Sequence, residues 1–94
     1  MKTAVIKYSH PIGLHARPAA LVVKTANQFD AAVSFRNLSA SGQWVNAKSM
    51  LSLITAGVKQ NDDVEIKTEG KDERQALTAI QNLFQTELNK DAGE

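Results

Sequence analysis

The sequence predicts a two-layer α+β fold in which three helices cover one face of a sheet and solvent meets the other. Short segments of alternating apolar and polar residues, typical of half-buried strands, lie between segments of helical periodicity. Their order is strand, helix, strand, strand, helix, strand, helix, which suits one layer of sheet and one layer of helices. With 94 residues, 43% of them hydrophobic, the chain can fill one core and is too short for two. We therefore expect a single domain over residues 1–94.

The first half of the chain predicts a strand, a helix and a hairpin. Residues Thr3–Tyr8 alternate, which predicts a strand. An alanine-rich stretch from residue 15 or 16 to about residue 28 repeats its apolar residues at helical spacing, which predicts a helix with one apolar face. Ala32–Arg36 and Gln43–Val45 predict the two arms of a hairpin. We expect Trp44, in the second arm, to pack in the core or against the hairpin.

The second half predicts two more helices and a fourth strand. Asn46–Thr55 carries apolar residues at helical spacing, and Gly57 is expected to end that helix because glycine tolerates the left-handed conformation. Val64–Lys67 alternates and predicts the strand. Asp72–Leu88 has the cleanest helical period of the chain and predicts the last helix, followed by a frayed tail from about residue 89.

Composition and charge argue against several classes of protein. The 11 lysines and arginines nearly balance the 10 acidic residues, and aromatic residues make up 5% of the chain, which argues against a nucleic-acid-binding protein. Without cysteine there are no disulfides and no thiolate metal sites, and we predict neither a metal nor another cofactor. The apolar runs are far too short for a membrane span, and Lys7 interrupts the first before a signal-peptide core develops. We therefore expect a cytoplasmic protein.

Unusual residues converge at the start of the first predicted helix. Gly13 allows a tight turn, His15 stands where the loop becomes a helix, and Pro18 falls in the first turn, where its missing N–H costs little. The backbone N–H groups of Ala16 and Arg17 lack helical partners and lie at the positive end of the helix dipole. The Arg17 guanidinium adds a fork that suits phosphate oxygens. A phosphoryl group on the His15 imidazole would therefore meet backbone donors and a cation together.

A second interpretation of His15 stays open from the residues alone. A histidine before a helix is often a capping or surface residue, and no acidic residue adjoins His15 in the sequence to orient its ring. His10 is a second histidine, but a Pro-Gly break separates the two, so they do not form a helical metal-binding pair.

Two stretches of the chain together resemble one known family. Gly13–Ala19, with the sequence Gly-Leu-His-Ala-Arg-Pro-Ala, resembles the active-site signature of HPr, the histidine-containing phosphocarrier of the bacterial phosphoenolpyruvate-dependent sugar phosphotransferase system. Val45–Leu51 resembles the second signature of that family. The resemblance implies an open-faced β-sandwich, with four antiparallel strands and three helices on one face. It also implies a carrier without enzymatic turnover of its own: enzyme I phosphorylates His15 on Nδ1, Arg17 stabilises the phosphoryl group, and enzyme IIA domains receive it.

Ser49 matches the regulatory serine of the HPr family, which an ATP-dependent HPr kinase/phosphorylase modifies in many Gram-positive bacteria. That role would add the kinase and a catabolite-control transcription factor to the partners. A phosphate at the start of a helix is compatible with the helix dipole. The alternative is that Ser49 simply caps the short second helix, since serine is favoured at helix starts.

The resemblance also places a docking surface for enzyme I and enzyme IIA beside His15. Met50, Leu51 and Ile54 carry it on the short second helix, which cannot bury its whole circumference against one sheet face. Lys24, about two turns beyond the start of the first helix, matches a basic contact residue of the family. We expect the chain to act as a monomer.

Two features depart from the family pattern. Asn27 stands where many relatives have lysine, and the Asn37–Gln43 connection is longer than usual and is expected to lie away from the site. Two rival functions are a paralogous carrier that serves nitrogen regulation or a dihydroxyacetone kinase system, and a regulatory protein that acts only through the serine. The presence of His15 argues against the second.

Overall fold

The computed structural model describes residues 1–88, so the predicted fraying of the tail from about residue 89 lies outside the described residues. Strands and helices follow one another in the predicted order. The strands are β1 (Lys2–Tyr8), β2 (Ala32–Asn37), β3 (Val45–Asn46) and β4 (Asp62–Glu69). The helices are α1 (Ala16–Ala26), α2 (Met50–Thr55) and α3 (Glu73–Leu83), and a π-helical turn, Phe84–Leu88, continues α3. Within residues 1–88, no helix has both the length and the apolar character needed to cross a bilayer.

The four strands form one antiparallel sheet in the order β1-β4-β2-β3. β4 lies between β1 and β2, with Ile6 opposite Val64 and Phe35 opposite Ile66. The short β3 pairs with β2 at the edge, where Val45 lies opposite Phe35. This register puts Tyr8, Phe35, Val45 and Ile66, one from each strand, on one face, and the helices pack on that face. The predicted α+β open-faced β-sandwich is thus confirmed.

The core lies between the inner face of the sheet and the helices. Its largest fully buried side chains come from both layers: Tyr8, Phe35, Leu53, Ile66, Ile80 and Phe84. The Phe84 ring meets the rings of Phe35 and Tyr8 at centroid distances of 5.8 and 6.3 Å, so the π-helical turn closes the core against β1 and β2. Burial also raises the pKa of the Tyr8 phenol.

The outer face of the sheet carries a polar cluster around Trp44. The centroid of the indole lies 4.5 Å from the Arg36 guanidinium carbon and 4.3 Å from the Lys67 ammonium nitrogen. Arg36 also pairs with Glu65, which lies opposite it on β4. Trp44 therefore packs against the hairpin and its neighbouring strand on the solvent side, the second of its two predicted positions, where cation–π contacts hold it.

Several boundaries differ from the predicted ones. β4 extends two residues further at each end than predicted, because pairing continues over polar residues, with β1 at Asp62 and Asp63 and with β2 at Thr68 and Glu69. α2 begins at Met50 and not at Asn46, because Asn46 pairs with β2 and Ser49 caps the helix. α1 ends at Ala26, two residues earlier than predicted. Gly57 has a φ of 65°, which confirms the predicted left-handed end of α2.

Asp72 fixes the loop between α1 and β2 against the start of α3. It occupies the N-cap position of α3 but makes no side-chain bond to its own helix. Its carboxylate instead accepts the N–H groups of Asp30 at 3.0 Å and of Ala31 at 2.8 Å. These bonds, led by the one from Asp30, hold the pKa of the Asp72 carboxyl below its usual value.

Candidate functional site

His15 is the N-cap of α1, the residue at which the loop becomes a helix. Its backbone is extended, with φ −99° and ψ −168°, and its carbonyl accepts the Ala19 N–H at 3.0 Å. The imidazole is exposed and makes no capping hydrogen bond. His15 is therefore a cap by position but not by side-chain bonding, and its ring can meet a reactant that arrives from solvent.

The first turn of α1 presents donors for an anion beside His15. The N–H groups of Ala16 and Arg17 precede the first residues that can bond within the helix, and Pro18, which is buried, has no N–H. The Arg17 side chain is exposed and forms no ion pair with another of the described residues. Backbone donors and a guanidinium thus lie on two consecutive residues, Ala16 and Arg17, at the positive end of the helix dipole, an arrangement that suits phosphoryl oxygens.

The loop ahead of His15 is fixed by close packing and by a backbone hydrogen bond. Leu14 is buried and donates its N–H to the Val58 carbonyl at 2.9 Å. Gly13 lies so near the same carbonyl that a Cβ at this position would stand 2.8 Å from the oxygen. Glycine is therefore required at residue 13 by this close approach and not by the tight-turn conformation that the sequence suggested, since its φ is not positive.

His10 shapes the same loop from its other end. Its Nδ1 lies 3.1 Å from the Ile12 N–H nitrogen and accepts that hydrogen, and its ring stacks on Tyr8 with a centroid distance of 6.3 Å. The Tyr8 hydroxyl donates to the Ile12 carbonyl at 3.3 Å. Since its Nδ1 is engaged with the backbone, His10 has a structural part in the loop and His15 is the histidine that presents its ring.

Ser49 is the N-cap of α2, and its Oγ accepts the Ser52 N–H at 3.3 Å. The capping role that the sequence left open is therefore present. The side chain is half-buried and stands one residue ahead of a helix of only six residues. The neighbouring Lys48 is held by its own bond, from Nζ to the Phe29 carbonyl at 2.7 Å.

α2 packs against α1 and leaves part of its apolar surface uncovered. Leu51 is 73% exposed and Ile54 is 42% exposed, whereas Met50 is half-buried against the core. The prediction that this short helix cannot bury all its apolar residues is thus confirmed. Leu51 and Ile54 form its outward surface, and Met50 contributes chiefly to packing.

Two exposed apolar residues close to His15 in the chain were not among those predicted from the sequence. Ile12, which is 59% exposed, lies three residues before His15. Leu21, which is 36% exposed, lies on α1 between Arg17 and Lys24 at helical spacing, and Lys24 is exposed in the last turn. A signal for Ile12 was present, because a large apolar residue between a proline and a glycine has no strand or helix face on which to be buried.

Comparison with known proteins identifies the family. The model of the PTS-HPr family, described as the PTS HPr component phosphorylation site, matches residues 2–86. The chain is 40% identical over 85 residues to the phosphocarrier protein HPr of Mycoplasma pneumoniae, a match that covers 90% of this chain and 94% of that protein.

Solved structures agree with this match. The crystal structure of HPr-C-His from Thermoanaerobacter tengcongensis has a TM-score of 0.86 at 35% identity and covers 97% of this chain and 99% of that one. A second match is the crystal structure of Crh, a catabolite repression protein of Bacillus subtilis described as a swapped-domain dimer. Its TM-score is 0.70 at 34% identity, and the match covers 90% of this chain and 94% of that one. The chain therefore belongs to the PTS-HPr family, the phosphocarriers of the bacterial phosphotransferase system.

Proposed function

We propose that His15 accepts a phosphoryl group from phospho-enzyme I and passes it to sugar-specific enzyme IIA domains. In the first transfer the bond from phosphorus to the donor breaks while a bond to a His15 ring nitrogen forms, which is Nδ1 by the family resemblance. In the second transfer that bond breaks as one to the acceptor forms. The chain thus carries the group between enzymes and turns over no small substrate of its own.

The observation that supports this proposal best is the exposed His15 ring at the N-terminus of α1, in a chain that the PTS-HPr family model matches. A neutral imidazole is a competent nucleophile near neutral pH. During transfer, negative charge is spread over the phosphoryl oxygens, and donors that are already in place stabilise it without reorganisation. We assign that stabilisation to the N–H groups of Ala16 and Arg17 and to the Arg17 guanidinium.

We infer the docking surface from the exposed residues of α1 and α2. Leu51 and Ile54, together with the half-buried Met50, offer an apolar surface to enzyme I and enzyme IIA, and Lys24 adds a cationic contact. A surface shared by several partners suits flexible apolar side chains such as methionine. We further propose that residues 1–94 act as one monomeric domain in the cytoplasm, where these partners are found.

Incubation with enzyme I and labelled phosphoenolpyruvate tests the assignment of His15. We expect the wild-type chain to gain one acid-labile phosphoryl group, and His15→Ala to fold normally and gain none. His10→Ala is the matched control, since it removes the other histidine and should leave acceptance in place. Label on His15→Ala at the wild-type level would refute the assignment.

We propose as a second function that an HPr kinase/phosphorylase phosphorylates Ser49 and so brings the chain to a catabolite-control transcription factor. The similarity to the catabolite repression protein Crh favours this possibility. The kinase would have to draw the Ser49 hydroxyl out of its bond with the Ser52 N–H. Treatment with the kinase and ATP should label the wild type and Ser52→Ala but not Ser49→Ala, and equal labelling of all three would refute it.

A further inference from the structure

Asp62, the first residue of β4, is connected to the loop ahead of His15 through one peptide group. Its Oδ2 accepts the Lys59 N–H at 2.9 Å. The carbonyl of that same peptide group belongs to Val58, and it accepts the Leu14 N–H at 2.9 Å. Because a peptide group is planar and stiff, a bond that orients its N–H also orients its carbonyl. The carboxylate and the active-site loop therefore hold the two sides of one rigid unit.

The Asp62 carboxylate is itself held in place. Asn37, which is 2% exposed, donates from Nδ2 to Asp62 Oδ2 at 2.9 Å, and its Oδ1 accepts the Ser39 N–H at 3.0 Å. The Asp62 N–H donates to the Lys59 carbonyl at 3.0 Å and closes the turn. The long connection that begins at Asn37, expected to lie away from the site, is thus joined to the segment that supports the site.

The negative charge of the carboxylate matters to this support. A hydrogen bond to an ionised acceptor is about twice as strong as one between neutral groups. Hydrogen bonds in a chain polarise one another, so the carboxylate at the Lys59 N–H makes the Val58 carbonyl a better acceptor for Leu14. Gly13 packs directly on that carbonyl, which leaves the loop little room to shift.

We propose that Asp62 is a positioning residue for phosphoryl transfer at His15. By orienting the Val58–Lys59 peptide, it fixes the backbone of Gly13 and Leu14 and so the place from which the imidazole projects. This inference rests on the proposed function of His15. Asp62 itself is not required to touch the phosphoryl group or a partner.

Three variants test the proposal. Asp62→Ala removes the acceptor, and Asp62→Asn keeps the shape and one oxygen while removing the charge. Asp63→Ala is the matched control, since the Asp63 carboxylate pairs with Lys7 at 3.1 Å instead of with the turn. Hydrogen exchange of the Leu14 amide reports on the loop. Initial rates of phosphorylation, measured with a fixed amount of enzyme I and varied concentrations of the chain, separate the maximal rate from the KM of enzyme I for the chain.

For Asp62→Ala we expect faster hydrogen exchange at the Leu14 amide. The maximal phosphorylation rate should fall by about tenfold, since small misplacements of a reacting group are costly. The KM of enzyme I for the chain should stay within about twofold of wild type, because Asp62 is not required to touch the partner. For Asp62→Asn, both the exchange rate and the maximal phosphorylation rate should lie between those of Asp62→Ala and wild type. Asp63→Ala should match wild type in both. Should Asp62→Ala not fold, Asp62→Asn carries the same two measurements.

The proposal is overturned if the Leu14 amide of the Asp62 variants exchanges at the wild-type rate. It is also overturned if that amide exchanges faster in a variant while the maximal phosphorylation rate stays at the wild-type value. Both results can be distinguished from the case in which the proposed function itself is wrong. In that case the wild-type chain itself accepts no phosphoryl group, while the Leu14 amide still reports whether Asp62 supports the loop.

Discussion

Replacing Gly13 by alanine tests how closely the loop ahead of His15 must be held. The added Cβ would stand 2.8 Å from the Val58 carbonyl oxygen and 3.7 Å from the Lys59 Cα. Ordinary contact begins at about 3.4 Å, so one of the two backbone segments must move by about 0.6 Å. Both neighbours are backbone atoms, and a flexible side chain is not available to absorb the shift.

The size of this shift sets the expected effects. The Leu14–Val58 hydrogen bond, now 2.9 Å, must lengthen or bend. Overpacking of this kind lowers the free energy of unfolding by about 1–3 kcal/mol. A misplacement of about 1 Å can lower a rate by about a hundredfold. We therefore expect Gly13→Ala to slow the phosphorylation of His15 by about tenfold.

Rapid-quench measurement with enzyme I and labelled phosphoenolpyruvate gives the rate, and urea denaturation gives the stability. Gly42→Ala is the matched control, because its Cβ would meet nothing within 4 Å while its φ of +70° carries the left-handed strain. It should lose about 1–2 kcal/mol and keep the wild-type rate. If Gly13→Ala is phosphorylated as fast as wild type, the contact with Val58 does not position His15 and the reasoning fails.

Three further predictions concern Arg17, Asp72 and Leu53. Arg17→Ala should slow transfer while the free energy of unfolding stays within about 0.5 kcal/mol, and unchanged transfer kinetics would make Arg17 a bystander. Because the pKa of Asp72 is lowered on folding, its contribution to stability is present above the ordinary Asp pKa and is lost as pH falls through the lowered value. Asp72→Asn should therefore flatten the acid limb of unfolding free energy against pH, and an equally steep limb would contradict this. Leu53→Ala, at a fully buried position, should cost about 2–5 kcal/mol in urea denaturation, and a loss below about 1 kcal/mol would mean that the core closes over the gap.

The fold follows from local pattern wherever one face of an element is buried. Phe35 and Ile66 alternate with polar neighbours, so the strands that carry them could be predicted and their facing sides assigned. The start of α2 could not be placed in this way. Helical spacing begins near Asn46, but the boundary is set by the pairing of Asn46 with β2 and by the Ser49 cap. Because the residues that pair with Asn46 are distant in the sequence, a local pattern does not reveal them.

The candidate site also combines local features, which a sequence pattern indicates, with contacts between residues that are distant in the sequence. His15, Arg17 and Pro18 lie within one short motif, so the phosphoryl-transfer chemistry proposed there rests on residue type and position alone. The support of the motif could not be predicted, because Val58 is remote in sequence and meets the loop only in the folded chain, and Asp62 bonds to the peptide group that carries the Val58 carbonyl.

Two carboxylates of this chain show why such support escapes sequence analysis. Asp72 has the sequence context of a helix start and Asp62 that of a turn, yet each accepts backbone N–H groups of a loop, at Asp30 and Ala31 in one case and at Lys59 in the other. A count of charged residues assigns both to the solvated surface. Their effect instead lies in backbone geometry, which residue type alone does not reveal. If Asp62 positions His15 as proposed, two chains with an identical signature around His15 differ in how rigidly they hold the imidazole, because Val58 and Asp62 lie outside the signature.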